Sequence, residues 1–346
     1  MARPKPKKIN LALQGGGAHG AFTWGALDAL LADERIEIAG ISGTSAGALN
    51  AAALKAGMIQ DGRAGARANL KWLWDRVAGV QDVGMASWMA PFSARAVSSA
   101  LEYSPPYAFG EALSRMVSPY AFGPFYSNPL EPIVRDFDFE CVCADDGPAL
   151  FINATRVRNG KLRVFSGPEV TPDAIMASAC LPTLFQAVEI YDTETGQTEA
   201  FWDGGYTGNP ALFPLFDRAL PDDVVVININ PLERDDTPIT PQQIQNRINE
   251  ISFNSSLLRE LRAIDFVQRL LDRGAIEEGT MSRVLVHMIA DDALMNELSV
   301  ATKLVPNGYI LGRLFEAGQA AAKGFLATHF DAIGNRSSVD LREMFM

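Results

Sequence analysis

Residues 36–56 read IEIAGISGTSAGALNAAALKA, and their order decides the fold. Ile36 to Ile41 is an apolar run of strand length. Gly43-Thr44-Ser45-Ala46-Gly47 is a turn bounded by glycine, and the alanine-rich run to about Ala56 is helical. The same order stands upstream, where a short buried strand at 9–14 (INLALQ) meets Gly15-Gly16-Gly17 and then an apolar-periodic helix from about Ala18 to Leu31. Two strand–glycine–helix units in succession are the opening of a parallel α/β sheet.

The rest of the chain extends that sheet. A helix is expected over 63–78, carrying Trp72 and Trp74, and strands over 149–155 and 162–165. A short helix near 171–179 precedes a hairpin at 186–202, whose turn falls at Thr195-Gly196. The run VVVININ at 224–230 reads as an interior strand, followed by a long helical stretch at 240–273, a strand at 283–289 and a last helix at about 307–328. No linker is long or polar enough to separate two domains. The expected organisation is a flexible basic tail at 1–8, a catalytic core at 9–230, and C-terminal helices and a strand at 231–346 packed on the same core. The fold class is α/β, with a mainly parallel central sheet flanked by helices and a helical C-terminal elaboration.

Residues 84–126 differ in character. They hold Trp88, Phe92, Tyr103, Tyr107, Phe109, Tyr120, Phe122, Phe125 and Tyr126, and prolines 105, 106, 119 and 124 are expected to break regular structure there. The segment reads either as a lid and acyl-chain wall or as packing over the core.

With 48% hydrophobic and 21% charged residues, the 346-residue chain can bury a sizeable core without disulfides. The formal charge of −11 argues against nucleic acid as a partner. Cys141, Cys143 and Cys180 are expected to be reduced thiols, and Cys141-x-Cys143 alone does not make a zinc site. The basic start MARPKPKKIN is a poor signal peptide, and no apolar run has membrane-spanning length. These features predict a cytoplasmic protein with at most transient contact with the inner membrane surface; nothing in them fixes an oligomeric state.

Chemistry concentrates in three places. The glycine-bounded turn around Ser45, between strand and helix, fits a nucleophile elbow: Gly43 and Gly47 leave room for tight geometry, and the helix start aims its free N–H groups at developing negative charge. Gly15-Gly16-Gly17-Ala18-His19-Gly20 fits G-x-G-x-x-G, but a dinucleotide site needs an acidic residue closing the second strand. Here that strand runs into Ser42 and the elbow, and the exposed amides can instead form an oxyanion hole. A serine also needs a base. His19 lies in the glycine loop, His287 inside an apolar strand and His329 near the C-terminus. Asp203, ending the apolar strand before Gly204-Gly205, is the better placed base.

Four blocks together resemble the patatin-like phospholipase family: GGGAHG at 15–20, GTSAG at 43–47, ASACLP at 177–182 and DGG at 203–205. They stand in the family's order and span about residues 9–230. The resemblance implies a three-layer patatin-like sandwich and a Ser–Asp dyad, with Ser45 as nucleophile and Asp203 as general base. It implies oxyanion amides from Gly15, Gly16 and Gly17, a substrate wall shaped by the ASACLP block with Pro182 fixing its turn, and no cofactor or metal. His19 stands where many members carry Arg or Lys; as part of the oxyanion site it would be charged only below about pH 6.5. The implied activity is hydrolysis of carboxylic esters of phospholipids or other lipids through an acyl-enzyme. An acyltransferase, an intracellular polyester hydrolase with the same dyad, and a non-catalytic lipid-binding protein are the alternatives.

Overall fold

A computed structural model describes residues 5–79, 93–234, 237–277 and 279–345. Eight strands form one mixed sheet: β1 Lys7–Leu13, β2 Ile36–Gly43, β3 Ala149–Arg156, β4 Leu162–Ser166, β5 Val188–Asp192, β6 Gln197–Asp203, β7 Asp223–Ile227 and β8 Leu285–Ile289. The order is β5-β6-β3-β2-β1-β7-β8, with β4 on β3. From β3 to β8 the neighbours are parallel, whereas β4, β5 and β6 join by antiparallel pairs.

The central strands are buried on both faces. Ile9, Leu11 and Leu13 of β1 face one core, while Ala12 faces a second with Val224 and Val226 of β7. This period of two is what a covered parallel sheet requires. Burying each such Leu or Ile stabilises the fold by roughly 2 kcal/mol over exposure. The first face is covered by α1 (Gly20–Ala32), α2 (Ala46–Gly79) and, further along the chain, a helix at Gly308–His329; the second by helices at Pro241–Asp272 and Leu341–Phe345. The result is three layers, helix–sheet–helix.

Four more helices bear on the site. In chain order α3 is Ala94–Glu102, α4 is Pro105–Met116 and α5 is Pro172–Ser178. The long helix Pro241–Asp272 is α6, a short one at Val300–Leu304 is α7, and Gly308–His329 is α8. The two helices expected at 46–56 and 63–78 form one run, broken only at Asp61 and Gly62, where the backbone leaves helical geometry. The prolines of the aromatic segment act otherwise than expected: Pro105 opens α4, and Pro119 opens a 3₁₀ turn to Phe125. Proline suits a first helical turn, where its missing N–H has no partner to lose. Trp88 and Phe92 lie outside the described residues.

Register places the site. Along one edge of β3, β2 pairs as far as Gly43 opposite Ile152, and β6 pairs as far as Asp203 opposite Ala154. β2 runs parallel to β3 and β6 antiparallel, so their carboxyl ends run at each other along that edge. The gap spans two residues of β3, roughly 7 Å, and Thr44, Ser45 and Asp203 converge on it.

Candidate active site

Strand β2 ends at Gly43 and α2 begins at Ala46, leaving Thr44 and Ser45 to make the turn. Ser45 has φ of 54°, the sole positive value on a non-glycine among the described residues. Such a conformation costs on the order of 1–3 kcal/mol and must be held by its surroundings. Here the Ser45 amide donates to Ser178 Oγ at 2.9 Å, at the end of α5, and Thr44 Oγ1 donates to the Gly208 carbonyl at 2.8 Å. The flanking glycines are sterically required. A Cβ on Gly47 would lie 2.1 Å from the Leu13 carbonyl oxygen, and one on Gly43 would lie 2.7 Å from the Gly47 oxygen. These obstacles are backbone, which cannot swing aside. Gly47→Ala is therefore expected to destabilise the fold by about 2–3 kcal/mol or to prevent folding, as read by urea denaturation.

Asp203 is 2% exposed. Its backbone is fixed by Asp203 N–H donating to the Cys180 carbonyl at 2.8 Å and by Thr155 Oγ1 donating to the Asp203 carbonyl at 2.8 Å. Its Oδ1 accepts from the Gly205 amide at 2.7 Å, and the Ser45 side chain stands near enough to the carboxyl to lower its pKa. Burial pushes the Asp203 carboxyl up to about 7, outweighing the Gly205 and Ser45 hydrogen bonds that pull it down. Burial and the nearby Asp203 charge push the Cys180 thiol and the Tyr206 hydroxyl up to about 12. Both stay neutral at physiological pH and add no charge to the site.

Ser45, Asp203 and Gly15 to Gly17 line one cavity of about 410 Å³, together with side chains of α4, α6 and α7. The glycine loop is held by amides of other segments. Gly15 N–H donates to Asn209 Oδ1 at 2.6 Å, and Asn230 Nδ2 donates to the Gly15 carbonyl at 2.8 Å. Gln14 Oε1 accepts from the amides of Ile229 and Asn230 at 2.9 and 3.1 Å. No described residue accepts from the amides of Gly16 and Gly17. They remain available to a ligand, whereas the Gly15 amide is engaged. None of Gln14, Asn209 or Asn230 was singled out by sequence; buried amide side chains beside a glycine loop are the signal that could have found them.

Three expectations need correction. The Gly15 amide, expected among the oxyanion donors, is taken by Asn209 Oδ1. His19 does not line the cavity. The 3₁₀ turn Gly17–His19 carries its ring to α7, where Nε2 meets Thr302 Oγ1 at 2.8 Å. Burial first, then the Lys303 and Arg234 charges, holds the imidazole well below its ordinary pKa and therefore neutral. Pro182 is not a lining residue either; Leu181, Thr183 and Leu184 make that wall while Pro182 shapes the turn among them. The other histidines are remote. His287 is buried in β8 against Asp223, at 2.9 Å, where β7 begins at the opposite end of the sheet, and His329 ends α8.

The aromatic segment divides between the two roles open to it. Tyr107 of α4 lines the cavity. Tyr120 and Tyr126 brace the next loop, their hydroxyls accepting from the amides of Ala187 at 2.9 Å and Gln186 at 3.1 Å.

No curated protein matches. Among solved structures, VipD from Legionella pneumophila is 16% identical with a TM-score of 0.41, over 94% of this chain and 67% of that one. The ExoU–SpcU complex from the type III secretion system of Pseudomonas aeruginosa gives 18% identity and a TM-score of 0.28, over 98% and 66%. The chain thus spans about two thirds of the length of each. A family model described as patatin-like phospholipase matches residues 11–216. That match runs through both glycine turns and Asp203 and takes in well over half of the sequence, so the chain belongs to the patatin-like phospholipase family.

Proposed function

We propose that the chain is a serine hydrolase that cleaves carboxylic ester bonds of lipids with Ser45 as nucleophile and Asp203 as general base. Membership of the family supports lipid acyl hydrolysis in general. The observation that carries the finer reading is the juxtaposition of a strained, cavity-lining serine with a buried carboxyl whose pKa is raised to about 7. An ordinary carboxylate is a weak base for a hydroxyl; one titrating near neutrality is far better matched.

In this reading Asp203 takes the Ser45 proton as the oxygen attacks the ester carbonyl. The Gly16 and Gly17 amides hold the oxygen that becomes negative, with Gly15 fixing the loop. Asp203 returns the proton to the leaving alcohol, and a water deprotonated by Asp203 then releases the acid from Ser45. The cavity walls of Leu181, Leu184, Phe253 and Tyr107 suit an acyl chain. Tyr103, which follows α3, and Phe109 on α4 stand exposed, where they can meet a lipid surface. No helix among the described residues is long and apolar enough to cross a membrane, so contact with a bilayer would be peripheral. Because α6 and α7 line the cavity, residues 231–346 belong with 9–230 in one working unit.

The test is turnover of a p-nitrophenyl acyl ester and of a phospholipid panel by wild type and Ser45→Ala; equal turnover by both would refute the assignment. The pH profile is a second check. Since the base form of Asp203 is required, kcat/KM is expected to rise with pH through a midpoint near 7, falling about tenfold per unit below it. A midpoint near pH 4 would mean that the carboxyl is not the buried one.

A further inference from the structure

One partly buried cation that lines the cavity is unused by this scheme. Lys303, on α7, lines the pocket beside the glycine loop: its carbonyl oxygen would stand 2.3 Å from a Cβ placed on Gly17, and its own Cβ 3.6 Å away. Its ammonium donates to Asn230 Oδ1 at 2.9 Å, and Asn230 in turn holds the Gly15 carbonyl. The side chain therefore runs along the loop from Gly17 toward Gly15. The nearest carboxylate in an ion pair with it is Glu250 of α6, at 3.9 Å, which is a weak claim on the ammonium. Glu250 is already gripped by Arg234 at 2.7 and 2.9 Å, and Arg247 stands 3.4 Å away. Three cations thus surround one buried carboxylate, and among the described residues Asn230 Oδ1 is the hydrogen-bond acceptor given to the ammonium's three N–H groups. In a chain of net charge −11, Lys303 is the cation that lines this cavity among the described residues.

We infer that Lys303 supplies the positive charge that offsets the developing oxyanion, acting beside the amides of Gly16 and Gly17. The inference rests on the Ser45–Asp203 reading and deepens it. His19 contributes to this arrangement as a neutral peg: its bond to Thr302 fixes the turn of α7 that presents Lys303. A partly buried ammonium acts through a lower dielectric than bulk water, so its effect falls on the charged transition state more than on a neutral bound ester.

The experiment compares the full chain with Lys303→Met, Lys303→Gln and Lys303→Arg on a neutral p-nitrophenyl ester and on a phosphate-bearing lipid, reading kcat and KM separately. For both substrates the Met variant is expected to lose about 10- to 100-fold in kcat with KM within about twofold. Arg should restore most of that loss. Gln can keep the bond to Asn230 without the charge, so it should behave as Met does, and it decides the matter if Met does not fold. Unchanged kcat in Met and Gln would overturn the inference. So would a rise in KM confined to the phosphate-bearing lipid, which would make Lys303 a head-group anchor. Equal loss in Arg and Met with matching loss of thermal stability would reduce it to a brace. Absence of Ser45-dependent turnover in the wild type would instead defeat the underlying reading, and this inference with it.

Discussion

Asp203→Asn is expected to lower kcat/KM on an acyl ester by about 10³- to 10⁴-fold, the range of a lost general base. The substitution keeps the shape and leaves an acceptor for the Gly205 amide, so the loss would be chemical. Stability provides the control. The folded-state pKa of Asp203 is raised to about 7, well above that of an unfolded carboxyl. Between those values the folded state holds a proton that the unfolded state has released. The folded state is therefore favoured at low pH, and this contribution is lost as pH rises through about 7. Asn cannot ionise. Asp203→Asn is accordingly expected to be at least as stable as wild type near pH 8, with a flatter pH dependence of the urea midpoint, while being nearly inactive. A variant that is both inactive and markedly less stable at pH 8 would point to a structural carboxylate.

Ser45→Ala should cost more, about 10⁵- to 10⁶-fold in kcat, because no other described side chain stands at the head of α2 to attack. Alanine at φ of 54° carries the same backbone strain as serine, so folding should be retained. Ser45→Gly, which tolerates that geometry, should be inactive yet about 1 kcal/mol more stable. The double variant Ser45→Ala/Asp203→Asn is expected to be no worse than Ser45→Ala alone, since groups that act as one unit are not additive. A further large loss in the double variant would show that Asp203 serves some step independent of Ser45.

Much of this was legible in the chain. Apolar runs punctuated by glycine placed β1, β2 and the helices after them, and VVVININ placed β7, because period and punctuation are local properties. Ser45 and Asp203 could be picked out since one sits in, and the other leads into, a glycine turn that follows a strand. Their meeting is not local: it depends on β6 pairing antiparallel to β3 with Asp203 opposite Ala154, a register no single segment encodes. His19 shows the limit more sharply. Its position in the glycine loop reads as catalytic, yet one 3₁₀ turn rotates the ring out of the cavity to a partner 283 residues away. Asn209, Asn230 and Lys303, which shape the loop's surroundings, come from segments without a motif, so only packing in three dimensions reveals them. The prolines at 105 and 106 misled because the same residue that breaks a helix interior opens a helix well.

The proposed activity requires that the hydroxyl of residue 45 be activated by the carboxyl of residue 203. The direct measurement is the rate of covalent modification by a neutral fluorophosphonate across about pH 5 to 9, with the modified residue located by peptide mass spectrometry. The predicted result is a single adduct on Ser45, formed with a rate that rises through a midpoint near pH 7 and collapses in Asp203→Asn. An adduct on another residue, or Ser45 modified as fast and with the same pH dependence in Asp203→Asn, would contradict it.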